Sequence, residues 1–183
     1  MAALDRLREA LAWRAARRAV RHRSAVELSP RLYDRRLLVV LPAGADAQRD
    51  AWRLVRALDL DPRHVMAFTL GSPLAHVPDS FAGNAKVFGP NALDWRGLPT
   101  RVTTAGVWGW KPDVAVDLSR PFSLAAAYLV GGSSAAIRAG YFDRRSEPFL
   151  DLLYAPGDAS PAAGLTRYLS SIQPPVLPFR EAS

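Results

Sequence analysis

Asp113 and Asp117 stand four residues apart around the apolar run Val114-Ala115-Val116. In an extended strand, residues at even spacing project from one face, so both carboxylates share a side. Paired carboxylates can do acid/base work, but here the run sets Asp113 at the strand's entry and Asp117 at its exit, too far apart for a dyad. Ser119, Arg120 and Ser123 follow directly, hydroxyls beside a cation that suits a phosphate or carboxylate. The same residue types also cap helices and face water, their commonest use at a helix start. Gly44 and Asp46 follow the first apolar run and Ser72 follows the second, so they join Asp117, Ser119, Arg120 and Ser123 as candidate ligand contacts. His22, His64 and His76 are far apart, with no second ligand at metal spacing. With no Cys, and no Gly-x-Ser-x-Gly elbow, Walker loop or Gly-x-Gly-x-x-Gly, no catalytic residue, metal or cofactor is assigned. Trp95, Trp108 and Trp110 lie near Arg96 and Lys111. They read either as a stacking surface or, more commonly, as packing under a long loop.

The elements that must position these residues are legible as apolar runs between turns. Residues 37–41 form a continuous apolar run, the mark of a strand covered on both faces. Pro42-Ala43-Gly44-Ala45 turns the chain, and Asp46 is read as the N-cap of a helix over 47–58 with Trp52, Val55 and Leu58 on its inner side. Asp61-Pro62 leads to a second strand over 64–70, completing a βαβ unit whose strands pair in parallel. A loop over 72–84 and a short strand over 85–88 follow. The stretch 89–100 reads as irregular, with a turn of helix over 100–108. Strong strand character returns at 113–118, Pro121 suits the first turn of a helix running to Val130, and Gly131-Gly132 stops it. Strands over 136–141 and 150–154, a helix over 160–172 and an extended tail complete the reading. The carboxyl ends of such strands, at 42–46, 71–72 and 117–123, are where an open parallel sheet meets ligands.

Residues 2–23 read as one helix rich in Ala, Leu and Arg. Leu4, Leu7 and Leu11 make a narrow stripe, with Arg6, Arg14, Arg17 and Arg21 gathered beside it. The stripe is too short for a fully buried helix, so the segment packs by one end or onto a partner. Charge agrees: the chain is +7 overall, residues 1–36 hold a net +6, and the rest is almost balanced. Such a helix could dock on an acidic partner: RNA, an anionic membrane surface or an acidic protein. The competing account is a solvated face in an arginine-biased composition, since Arg outnumbers Lys twenty-two to two. The length of 183 residues fits one domain, and no run approaches the ~20 apolar residues of a membrane helix. The chain is therefore expected to be cytoplasmic and not transmembrane.

Two resemblances add to this. Asp94-Trp95-Arg96-Gly97, the run from Pro112 to Phe142 and Phe149 to Tyr154 resemble a family of short bacterial proteins of unknown function. That likeness implies a strand, a helix and a strand with a Gly near its end. The segment is also similar to the N-terminal half of heptosyltransferase-type glycosyltransferases of the GT-B fold. Asp113-Val-Ala-Val-Asp117-Leu118 and Arg138-Ala139-Gly140-Tyr141 match that pattern, and Gly44-Ala45-Asp46 sets the loop Asp one residue from its usual place. This second likeness implies a nucleotide or sugar-phosphate ligand.

The expected architecture is a three-layer Rossmann-like α/β domain over 34–173 with a mostly parallel sheet of five to six strands. A basic helix and linker over 1–33 precede it, and an extended tail over 174–183 follows. The leading functional expectation is a non-enzymatic interaction protein that docks through its basic helix. The alternative is a glycosyltransferase-like half-domain binding a small anion near Ser119, Arg120 and Ser123.

Overall fold

Runs of buried β-branched and aliphatic residues can only be satisfied side by side, and here they make one sheet. The computed structural model of the chain describes residues 2–20 and 35–155. In chain order the elements are α1 (Ala2–Ala19), β1 (Leu37–Val40), α2 (Ala45–Ala57), β2 (Val65–Leu70), β3 (Ala85–Phe88) and α3 (Arg101–Gly109). They continue with β4 (Val114–Asp117), α4 (Leu124–Gly131), β5 (Ile137–Tyr141) and β6 (Leu152–Tyr154). All six strands are parallel, in the order β3-β2-β1-β4-β5-β6. The fold is thus the Rossmann-like α/β arrangement expected. The helix expected over 160–172, the tail, and residues 21–33 with Arg21 lie outside the described residues.

Every residue of β1 is buried, and its side chains divide by the period of two. Leu37 and Val39 join Val65, Ala67, Val114, Val116, Ile137 and Ala139 on one face, under Trp52, Leu54 and Val55 of α2 and Phe81. Leu38 and Val40 join Phe68 and Ala115 on the other, under Val107 of α3, Ala126, Ala127, Leu129 and Val130 of α4, and Ala12 and Ala16 of α1. Two apolar layers on one sheet give three layers in all. They also tie the N-terminal helix to the body, with α1 lying against α4.

The structure moves several boundaries, each for a local reason. Helix α2 begins at Ala45 with Gly44 as its N-cap, held at φ +89°, a backbone conformation that favours glycine. Asp46 is therefore a first-turn residue and not the cap, with its side chain exposed and ion-paired to Arg49 at 2.8 Å. Helix α4 begins after Pro121, not on it. Ser123 is its N-cap, accepting a hydrogen bond from Ala126 N at 3.3 Å. Residues 101–109 form a full nine-residue helix, because Thr100 caps it and Thr103 Oγ1 donates to Ala92 O at 3.1 Å, fixing the loop beneath. Trp108 and Trp110 pack against the second core, and Trp108 Nε1 donates to Leu129 O at 2.9 Å. Trp95 is exposed beside Arg96.

Helix α1 departs most from its reading. Leu4, Leu7 and Leu11 are 73%, 56% and 38% exposed, while Ala12 and Ala16 are buried. Small residues let α1 approach the alanine-rich α4 closely, and Trp13 adds the large contact, stacking on Phe122 at 5.9 Å. The helix does pack by one end, but that end is the alanine end.

Candidate functional site

The chain leaves β1 toward β2 and β3 on one side and later toward β4, β5 and β6 on the other. Where that direction reverses, the helices on the two sides diverge and a crevice opens at the carboxyl ends of the strands. Register puts Val40 opposite both Phe68 and Asp117, and Asp117 opposite Gly140, so these tips share one edge.

The β1–β2 half of that edge is filled. Gln48 of α2 is fully buried and donates from Nε2 to Pro73 O at 2.9 Å, while its Oε1 accepts from Ala75 N at 2.7 Å. Thr69 Oγ1 donates to Ser72 O, drawing the same loop inward. Ser72 thus belongs to a pinned turn, and Gly44 and Asp46 stand exposed at the start of α2.

The open half lies above β4 and β5. A cavity of ≈ 260 Å³ there is lined by Asp117, Ser119, Arg120 and Phe122 on the β4 side, and by Tyr141, Asp143 and Ser146 on the β5 side, among others. Of the residues singled out from sequence, Asp117, Ser119 and Arg120 line it. Gly44, Asp46 and Ser72 do not, and Ser123 is spent on capping α4. Tyr141, Asp143 and Ser146 were missed because the carboxyl end of β5 was left out of the expected rim. Gly140-Tyr141 closing an apolar run was the available signal. Asp113 sits at the opposite end of the sheet, where its Oδ2 accepts from Arg36 N at 2.9 Å.

Asp117 sits at the floor, only 6% exposed. Among the described residues only Ser119 bonds its carboxyl, with Ser119 N donating to Oδ1 at 2.9 Å. Burial pushes its carboxyl up from 3.8 to about 6, against the opposing hydrogen bonds of Ser119. Gly140 makes room for it, since a Cβ there would meet Asp117 O at 2.9 Å and Leu150 Cδ1 at 2.7 Å. At the rim the Arg120 guanidinium lies 4.1 Å from the centroid of Tyr141, a cation–π contact, and no described residue forms a salt bridge with it. Burial raises the Tyr141 phenol, and Arg120 partly offsets that rise.

The other charges at the site are already matched. Asp143 holds Arg145 through Oδ1–Nε at 3.0 Å and Oδ2–Nη2 at 2.9 Å, and this pairing lowers the Asp143 carboxyl. Ser146 Oγ donates to Asp143 O at 2.7 Å, tightening the turn after β5. Phe122 forms a wall, sandwiched between Trp13 of α1 and the Arg145 guanidinium 4.7 Å from its centroid. The cavity therefore offers a buried carboxyl bonded by Ser119 below, a guanidinium with no salt bridge to a described residue above, and aromatic sides.

No protein-family model matches the chain, and no curated protein is significantly similar to it. Among the described residues there is no group of His, Cys, Asp and Glu that could hold a metal ion, and no helix long and apolar enough to cross a membrane.

The second feature is the outer face of α1. Leu4, Leu7, Leu11, Arg14 and Arg18 follow one another at spacings of three and four, one continuous line on a helix. All five are exposed, as are Arg6, Arg8 and Arg17. The helix's two carboxylates, Asp5 and Glu9, lie over a hollow of ≈ 360 Å³ shared with Trp13, Arg96, Phe122 and Arg145 of the body and α1's own packing side. A further shallow groove of ≈ 940 Å³ along α1 is lined by Arg6, Arg14, Arg17 and Arg18 with Glu9 and Trp13.

Proposed function

We propose that this protein is a non-enzymatic interaction protein whose α/β body presents α1 to an anionic lipid surface. The observation that carries the reading is the exposed Leu4–Leu7–Leu11 row, continued by Arg14 and Arg18, on a helix anchored to the body by Ala12, Ala16 and Trp13. A phosphate-bearing polymer would engage the arginines and leave three leucines in water. A membrane interface accepts both, with apolar side chains sinking below the headgroups and cations lying among them. Each Arg near an anionic surface contributes ~1 kcal/mol, and full burial of a Leu contributes ~1.5–3 kcal/mol. Neither term alone anchors a protein, and their sum over this face does.

The test is co-sedimentation of the full chain with phosphatidylglycerol-containing vesicles and with phosphatidylcholine vesicles, at low and high salt. Binding restricted to the anionic vesicles, weakened by salt and lost at least tenfold in Leu7→Glu, supports the reading. Absence of vesicle binding overturns it. So does retention on RNA or an acidic protein with no sensitivity to Leu7→Glu, which would assign α1 to another class of partner.

A further inference from the structure

We infer that the cavity between the tips of β4 and β5 binds a small hydroxylated anion, with Asp117 taking a hydroxyl of the ligand and Arg120 taking its phosphate or carboxylate. This site is separate from the outer face of α1 and stands whatever that face binds.

The argument starts from what each group lacks. Asp117 is nearly sealed from solvent and lines the cavity, yet among the described residues only Ser119 bonds its carboxyl. A buried carboxylate with so few donors is costly, and a hydroxyl from a ligand would relieve that cost. An ammonium would also satisfy it, but Arg120 at the rim disfavours a second cation. Arg120 is held over the Tyr141 ring and forms no salt bridge with a described residue, so its guanidinium N–H groups remain to meet an anion. Asp143 cannot compete for Arg120, because Arg145 holds both of its oxygens.

Size and walls narrow the class. A volume of ≈ 260 Å³ lies at the small end of ligand sites and suits a molecule of about ten non-hydrogen atoms. Phe122, Tyr141 and Leu150 line it with apolar surface that can pack on the C–H faces of a short polyol chain. Gly140 keeps the floor accessible: a methyl group there would press on the backbone and side chain of Asp117. The ligand is therefore a short polyol chain with a donor at one end and a negative group at the other.

Calorimetric titration of the full chain tests this, with glycerol 3-phosphate and glycerate as the two anion sources, and glycerol and inorganic phosphate as the separate halves. Saturable binding of glycerol 3-phosphate or glycerate, at least tenfold tighter than either half, supports the site. Which of the two binds identifies the anion. Arg120→Ala should weaken the hydroxylated anion and inorganic phosphate alike, at least tenfold. Asp117→Asn should weaken only the hydroxylated anion. Both side chains can change without threatening the fold, because Arg120 is exposed and Asn keeps the acceptor for Ser119 N. No saturable binding of either anion overturns the inference. Binding that both variants leave unchanged also overturns it. So does glycerol 3-phosphate binding no tighter than phosphate, which would reduce the cavity to a simple anion contact.

Discussion

Replacing Asp117 by Asn should make the protein more stable, by an amount that grows from acid to neutral pH. The native carboxyl is raised from 3.8 to about 6 because burial disfavours its charge. A rise of that size costs the folded state about 3 kcal/mol at pH 7, at ~1.4 kcal/mol per tenfold change in proton affinity. The sign follows from proton counting. Between pH 4 and 6 the folded chain holds a proton on Asp117 that the unfolded chain has lost, so stability falls as pH rises through that window. Above it the penalty is complete, and below it the penalty is gone. Asn is uncharged at every pH and can still accept from Ser119 N. Its advantage over the native chain should therefore be about 3 kcal/mol at pH 7.5, roughly half that at pH 5, and close to nothing below pH 4. Urea unfolding of both proteins across this range reads the difference directly. The lowered carboxyls of Asp61, Asp94 and Asp143 are common to both chains and cancel. An advantage that does not change with pH, or a variant less stable than the native chain at pH 7.5, would refute the reasoning.

Other expectations follow from single contacts. Gln48→Ala strands Pro73 O and Ala75 N beside α2, and should cost about 3 kcal/mol in urea unfolding while raising amide exchange in residues 72–75. Gly132→Ala would bring a Cβ within 2.2 Å of Trp108 Cζ2, so a loss of about 1–3 kcal/mol should accompany a changed near-ultraviolet tryptophan signal. Leu7→Glu should leave stability within about 0.5 kcal/mol, because the side chain is more than half exposed. Ala16→Leu, at a site with no exposure, should cost about 1–3 kcal/mol and alter Trp13 fluorescence as α1 is pushed off α4.

The sheet was legible because its strands are short apolar runs bounded by Pro and Gly, and five connections of ordinary length leave parallel pairing as the natural outcome. The tip of β4 was legible for the same reason: Asp117, Ser119 and Arg120 directly follow three buried residues. The packing of α1 was not. Hydrophobicity points to Leu4, Leu7 and Leu11, whereas close approach to α4 selects Ala12 and Ala16, and close fit leaves little trace in an apolar pattern. Gln48 was invisible because a glutamine inside an amphipathic helix reads as solvent-facing until a loop arrives to use its amide. The β5 half of the cavity was missed because Tyr141, Asp143 and Ser146 matter only once register sets Gly140 beside Asp117. Arg120 was read with helix-capping residues, but its partner is an aromatic face twenty-one residues away.

Phe122 is at once a wall of the cavity and the seat of Trp13. One aromatic ring thus reports to two surfaces of the molecule. A shift of the leading helix that carried this ring along would reach the hollow beneath. Reciprocity then applies: if docking outside changes occupancy inside, occupancy inside changes docking by the same factor. A two-ligand titration would measure that factor, and Phe122→Leu should reduce it.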